Sequence, residues 1–158
     1  MASVDDIQFD GGSEADRREI ASAFHAYLEA NAAYDWEWLA RIWSQDPDNV
    51  FFNMNGHTYV GLAHWIRLWQ YYKDRVDTGW WEPYDVNVLI RGDMALITCH
   101  RKTARRWKGS EAERLAYDAD RPAFVSRSTM VMAKEDGAWK TVHVHFSMAS
   151  QEPRPGGI

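Results

Sequence analysis

The stretch whose pattern decides the fold is Glu135-Asp136-Gly137-Ala138-Trp139-Lys140-Thr141-Val142-His143-Val144-His145-Phe146-Ser147. Asp-Gly tolerates the positive φ that a tight hairpin turn needs. The residues after it alternate apolar and polar, the period of a strand with one buried face. The segment is therefore a turn closing into a strand, with Phe124 to Lys134 as its partner. His143 and His145 stand two apart and share a face of that strand. Such a pair is a metal site, a catalytic pair or a structural ladder, and the facing of the strand decides which.

Moving toward the N-terminus, Trp80 to Arg91 and Met94 to about Trp107 are two more strands, joined by a tight turn at Gly92-Asp93. Lys108 to Arg121 is polar and irregular, which fits a flexible hairpin tip able to cover a cavity mouth. Before Thr78-Gly79 the period becomes helical. Ser13 can cap a helix running to Ala33, with Ile20, Phe24, Tyr27 and Leu28 as its stripe. Asp35 to Ser44 is a second helix. Asn49 to Met54 and Thr58 to Val60 form a small hairpin, and Gly61 opens a third helix ending near Lys73. Helices first and long strands afterwards predict an α+β fold, with helices packed on one face of an antiparallel sheet.

At 158 residues the chain fits one domain with a proper core. The expected division is a flexible N-terminus over 1–12, a single domain over 13–150 and a flexible tail over 151–158. A net charge of -5 argues against nucleic acid or an anionic membrane as partner. The basic run Arg101-Lys102 to Arg105-Arg106-Trp107-Lys108 is expected to be the solvated end of a hairpin. Cys99 is the single cysteine, so no intrachain disulfide forms, and it reads as a small buried residue. Met1 to Gly12 does not read as a secretory signal, and no apolar run reaches membrane-spanning length. A cytoplasmic location is the expectation. The 9 Trp and 14% aromatic content fit equally a core of large side chains or a site for flat ligands.

Several local patterns resemble the nuclear transport factor 2-like superfamily, which includes ketosteroid isomerase, SnoaL-type cyclases, scytalone dehydratase and a kinase association domain. They are Ala26-Tyr27-Leu28-Glu29 leading to Asp35-Trp36, Tyr59-Val60-Gly61 entering a helix, and Arg127-Ser128-Thr129 followed by Gly137-Ala138-Trp139 and Val142 to Ser147. The resemblance covers roughly residues 14 to 150. It implies a cone-shaped half-barrel, three N-terminal helices on a curved, mostly antiparallel sheet, with one deep apolar pocket. It also implies a homodimer or higher homo-oligomer through the opposite sheet face. Tyr27 falls where ketosteroid isomerase has its oxyanion-binding tyrosine, Asn53 near its carboxylate base and Thr129 near its protonated aspartic acid. Asn and Thr are not general bases, so that isomerase's mechanism does not transfer.

Placing Thr129 toward the cavity sends Val125, Arg127 and Val131 inward with it. The same template points Leu96, Thr98, His100 and Lys102 inward, beside Trp80, Glu82, Tyr84 and Val86. Val142, Val144 and Phe146 also point inward, leaving His143 and His145 outside. A one-residue slip would reverse these faces. His100 is the candidate acid/base, because imidazole exchanges protons near neutral pH; a hydrogen-bonded core histidine is the equal alternative. Arg127 would bind a carboxylate or phenolate, or pair with Glu82. Tyr27 would donate to an oxyanion, Asn53 would orient a hydroxyl, and Trp69, Trp80, Tyr59 and Phe146 would hold flat rings. With His100 opposite the histidine pair, no metal site is expected, and no cofactor motif occurs.

The functional expectation is a cofactor-independent lyase, dehydratase or isomerase acting by acid–base chemistry on a bulky aromatic (phenolic) small molecule. The lyases of lignin-derived diarylpropanes are a compatible class. The competing expectation is a non-catalytic ligand-binding or oligomerisation module.

Overall fold

Helix α1, Glu14–Ala33, starts where Ser13 accepts from the Asp16 amide and Asp16 returns a bond to the Ser13 amide, a capping box that satisfies two otherwise orphaned donors. These coordinates are a computed structural model describing residues 6–115 and 120–156. The expected flexible lead, hairpin tip and tail fall partly on residues 1–5, 116–119 and 157–158, which lie outside the described residues. Ile20, Phe24, Tyr27, Leu28 and Asn31 make up the buried stripe of α1. Helix α2, Trp36–Ile42, is capped by the Asp35 carboxylate. Helix α3, Gly61–Lys73, has no side-chain cap. Gly61 is needed there: its φ is +74°, and a Cβ would stand 2.9 Å from the Pro47 carbonyl oxygen.

The remaining elements build an eight-stranded sheet. In chain order they are β1 Gln8–Asp10, β2 Val50–Phe52, β3 Thr58–Val60, β4 Val76–Thr78, β5 Glu82–Arg91, β6 Met94–Trp107, β7 Arg121–Glu135 and β8 Ala138–Met148. The order across the sheet is β1-β5-β6-β7-β8-β2-β3, with β4 also paired to β6. Among the described strands, β1 with β5 and β2 with β8 run parallel. The structure is thus α+β, three helices packed on a curved and open sheet. Two strands escape the sequence pattern. Gln8–Asp10, expected in an unpaired lead, pairs with Asn87–Leu89, and Val76–Thr78 pairs with Arg105–Trp107. Each has three residues, too few for a period to show.

Cross-strand partners in an antiparallel ladder share a face, and this corrects several expected facings. Ser128 lies opposite Phe146, and Cys99 lies opposite Ser128. Phe146 and Val144 are buried on the helix side, so Cys99, Ser128 and Ser126 are inside with them. Thr129, Arg127, Thr98, His100 and Lys102 therefore face outward, as do Leu96, Val125 and Val131. Phe146 and Thr129 cannot both point inward in this register. On β5, the register shift between Tyr84 and Asn87 and the positive φ of Asp85 mark a bulge. Ahead of it Trp81 and Pro83 are buried; after it Val86, Val88 and Ile90 are. Trp80 and Glu82 are exposed. His143 and His145 stay outside, edge-on to Phe52 at 5.4 Å each. A register shift beside Val131 puts Thr141, in place of Val142, among the buried residues.

The first turn of α1 is tied to the last hairpin through Asp16. Its carboxylate accepts from Lys134 Nζ at 2.7 Å and from Trp139 Nε1 at 2.9 Å. Lys134, then Ser13 and Trp139, hold the carboxyl well below the usual range. A carboxyl with a depressed folded pKa stabilises the fold above its unfolded value near ~4, and that contribution fades as pH falls through the folded pKa. Asp16→Ala is expected to lower the Tm by several degrees at pH 7, with the gap to wild type narrowing at pH 3. Thermal melts at the two pH values check this; a gap that stays constant would show that charge plays no part.

Candidate functional site

The basic run on β6 builds the site. Alternation places Arg101 and Arg105 on the inner face, 1% and 8% exposed, while Arg106 and Lys108 pair outside with Asp77. The expected solvated hairpin end is thus half buried. Above Arg101 lie Tyr27 and Asn31 of α1, one helical turn apart and on one face. Trp65, Leu68, Trp69 and Tyr72 of α3 form one wall, and Trp81 and Phe146 form the sheet side. Asn53 and Met54, half-buried at the β2–β3 turn, are the least enclosed lining residues. The space inside is about 30 Å³, room for roughly two water molecules.

The Arg101 guanidinium lies 4.5 Å from the Trp81 ring centre and 4.2 Å from that of Phe146, contacts that attract a cation to the negative ring face. Nη1 donates to Tyr27 Oη at 3.5 Å, and Tyr27 donates to Asn31 Oδ1 at 3.3 Å. Nε is buried with no partner. Among the described residues, no carboxylate pairs with Arg101. Burial pushes the Tyr27 phenol above its ordinary value, while the Arg101 charge and hydrogen bond oppose that rise. Tyr27 therefore stays protonated at neutral pH and is a donor. Its ring stacks on Phe146 at 6.2 Å and on Trp43 at 5.9 Å, which fixes where the hydroxyl points.

Of the residues singled out from the sequence, Tyr27, Asn53, Trp69 and Phe146 line this cavity. Tyr59 lies behind the wall, edge-on to Trp65 at 5.4 Å, and its hydroxyl accepts from Asn55 Nδ2. His100 is on the convex face, stacked on Tyr84, with Nδ1 3.2 Å from Asp85 Oδ2. Arg127 is exposed and donates to Ser147 Oγ. Trp80, Glu82 and Thr129 also lie away from the cavity. Arg101, Asn31, Trp65 and Trp81 were not singled out. For Arg101 the available signal was its parity with Cys99 and Thr103; for Asn31, its helical spacing from Tyr27. Among the described residues no three His, Cys, Asp or Glu side chains gather as a metal site, and no helix is long and apolar enough to cross a membrane.

A sequence model of the SnoaL-like domain matches residues 20–151. The chain belongs to the SnoaL-like domain family. Solved structures of NTF2-like proteins share its fold. A proposed dehydratase of the NTF2-like family from Streptomyces avermitilis superposes with a TM-score of 0.69 at 18% identity, over 87% of this chain and 98% of that one. An NTF2-like protein of unknown function from Pseudomonas putida gives 0.67 at 19% identity, over 90% and 93%. The association domain of CaMKII from C. elegans gives 0.59 at 24% identity, over 85% and 97%. At these identities the SnoaL-like domain shares their fold and nothing more is implied. No curated protein matches the sequence.

Proposed function

We propose that the protein is a cofactor-independent acid–base catalyst of the lyase, dehydratase or isomerase type, working on a compact aromatic molecule whose oxygen gains negative charge during reaction. The observation that carries this is Arg101, a guanidinium 1% exposed and without a carboxylate partner among the described residues. A buried charge is costly unless compensated, and a developing oxyanion on the substrate compensates it. Tyr27 Oη and Arg101 Nη1, 3.5 Å apart, can hold one oxygen between them once the phenol turns its O–H from Asn31 toward the substrate. Donors aimed at an oxygen that charges in the transition state are a major source of rate.

Among the described residues the wall carries no carboxylate or imidazole. Its residues donate and hold charge, which suits elimination or isomerisation through a phenolate or enolate whose departing proton passes to water at the Asn53–Met54 mouth. The enclosed space, about 30 Å³, is well below the roughly 150 Å³ that takes one benzene ring. The mouth at Asn53 and Met54 therefore has to widen for any ring, and a two-ring diarylpropane skeleton is disfavoured further. The unbranched side chain of Met54 gives the mouth room to yield. We also propose self-association through the convex sheet face, supported by Phe52 and Leu89, 40% and 37% exposed there.

The test is turnover of single-ring phenolic and keto compounds. Tyr27→Phe is expected to cost roughly a hundredfold or more in kcat, while His100→Ala and Arg127→Ala stay within about twofold of wild type, as expected of surface positions. Because the acid form of Tyr27 is required and its pKa is raised, activity should hold through neutral pH. It should fall only as pH climbs above about 10, the phenol's ordinary value. A loss of turnover in His100→Ala as large as that in Tyr27→Phe would return the chemistry to the convex face.

A further inference from the structure

Taking Arg101 and Tyr27 as the oxyanion-holding pair, we infer that the natural ligand is an oxoacid: a carboxylate that carries a second acceptor oxygen next to it, attached to a flat apolar body. The basis is the unequal supply of donors and acceptors around the cavity. Three lining residues bring buried N–H groups that no acceptor among the described residues meets: Arg101 Nε, Trp65 Nε1 and Trp81 Nε1. Neither guanidinium nor indole can accept a hydrogen bond. The lining amides offer few free acceptors. Asn53 Oδ1 accepts from the Met54 amide, and Asn31 Oδ1 accepts from Tyr27 until that phenol turns to the ligand. Trp43 Nε1 is also without a partner, but Trp43 stands behind the wall and is not counted.

A buried donor left unmet is destabilising, so the wall favours a ligand rich in acceptors and poor in donors. The fixed positive charge of Arg101 asks for an anion, and its planar fork matches a carboxylate. The indole N–H groups are neutral donors and suit a carbonyl oxygen. Ammonium compounds meet charge repulsion. Primary amides lack the charge that pairs with Arg101 and bring two N–H donors against the single acceptor, Asn31 Oδ1, that a turned Tyr27 releases. Trp65, Trp69, Trp81 and Phe146 supply the aromatic wall for the flat body.

The experiment is calorimetric titration of the whole protein with four single-ring probes: benzoylformate, benzoate, benzamide and benzylamine. Benzoylformate is expected to bind roughly tenfold tighter than benzoate, the size of one added hydrogen bond. Benzamide and benzylamine should bind on the order of a hundredfold more weakly, having lost the charged contact. Arg101→Gln should abolish the preference for benzoate over benzamide. Trp81→Phe, which keeps the ring and removes the N–H, should reduce the preference for benzoylformate over benzoate and leave benzoate affinity in place. Benzamide or benzylamine binding as tightly as benzoylformate in wild-type protein would overturn the inference without any variant. Repeating the titration with Tyr27→Phe separates the two proposals. Retained oxoacid preference alongside unimpaired turnover would sink the catalytic role of Tyr27 and leave the ligand class standing.

Discussion

Arg101→Met is expected to raise the melting temperature while removing affinity for anions. Arg101 is 1% exposed, its Nε has no partner, and aromatic rings take up two of its contacts. Desolvating a cation without a counter-charge costs several kcal/mol, and replacing buried ionic groups by apolar ones of similar size often stabilises by about 1–4 kcal/mol. Met is unbranched and adaptable enough to follow the path of the Arg101 stem between Trp81 and Phe146. Thermal melts and benzoylformate titration on the same preparation check the pair of outcomes. The expected result is a Tm higher by several degrees and affinity lower by about a hundredfold or more. A drop in Tm of similar size would mean that the guanidinium stack is a structural element, and the ligand-holding role would lose its support.

Trp43→Ala should be the most damaging single truncation of the core. Trp43 is fully buried at 0% exposure, 4.9 Å from the Phe51 ring, 5.5 Å from Trp65 and 5.9 Å from Tyr27. Its backbone bridges to Thr141, so it joins the end of α2 to β8. Removing so large a buried ring costs about 3–5 kcal/mol, a large share of the 5–15 kcal/mol that typically holds a domain folded. Urea denaturation should show the midpoint falling accordingly. Because Tyr27 and Trp65 lean on Trp43, oxoacid binding should weaken as well, whereas Trp43→Phe should keep most of both. A loss under about 1 kcal/mol for Trp43→Ala would mean that the site collapses around the gap without penalty.

The helices and long strands were legible from the sequence because their periods run over many residues. α1 was expected from Ser13 to Ala33 and forms over Glu14–Ala33; α3 was expected from Gly61 to near Lys73 and forms over Gly61–Lys73. The SnoaL-like family was legible in the final hairpin, and the outward facing of His143 and His145 holds. Which face of β6 and β7 meets the helices was not legible. His100, Lys102, Arg127 and Thr129 are no more polar than Arg101, Thr103, Ser126 and Ser128, so composition cannot separate the two faces. Only the pairing of Ser128 with Phe146 does, and pairing register is a non-local quantity. The bulge at Asp85 is hidden for a different reason: Tyr84-Asp85-Val86 lacks the glycine that usually advertises positive φ. Without that bulge, Trp80 and Val86 would share a face, as first expected.

The two faces of β6 are, in effect, two alternative reagent sets written on one strand. Arg101 and Arg105 occupy the interior, while His100 and Lys102 wait one position out of phase on the exterior. A single inserted or deleted residue upstream of Arg101 would exchange guanidinium for imidazole and ammonium inside the same aromatic walls, leaving the other strands untouched. Chemistry in such a scaffold can therefore diverge by a frame change within a strand, with no replacement of any reactive side chain.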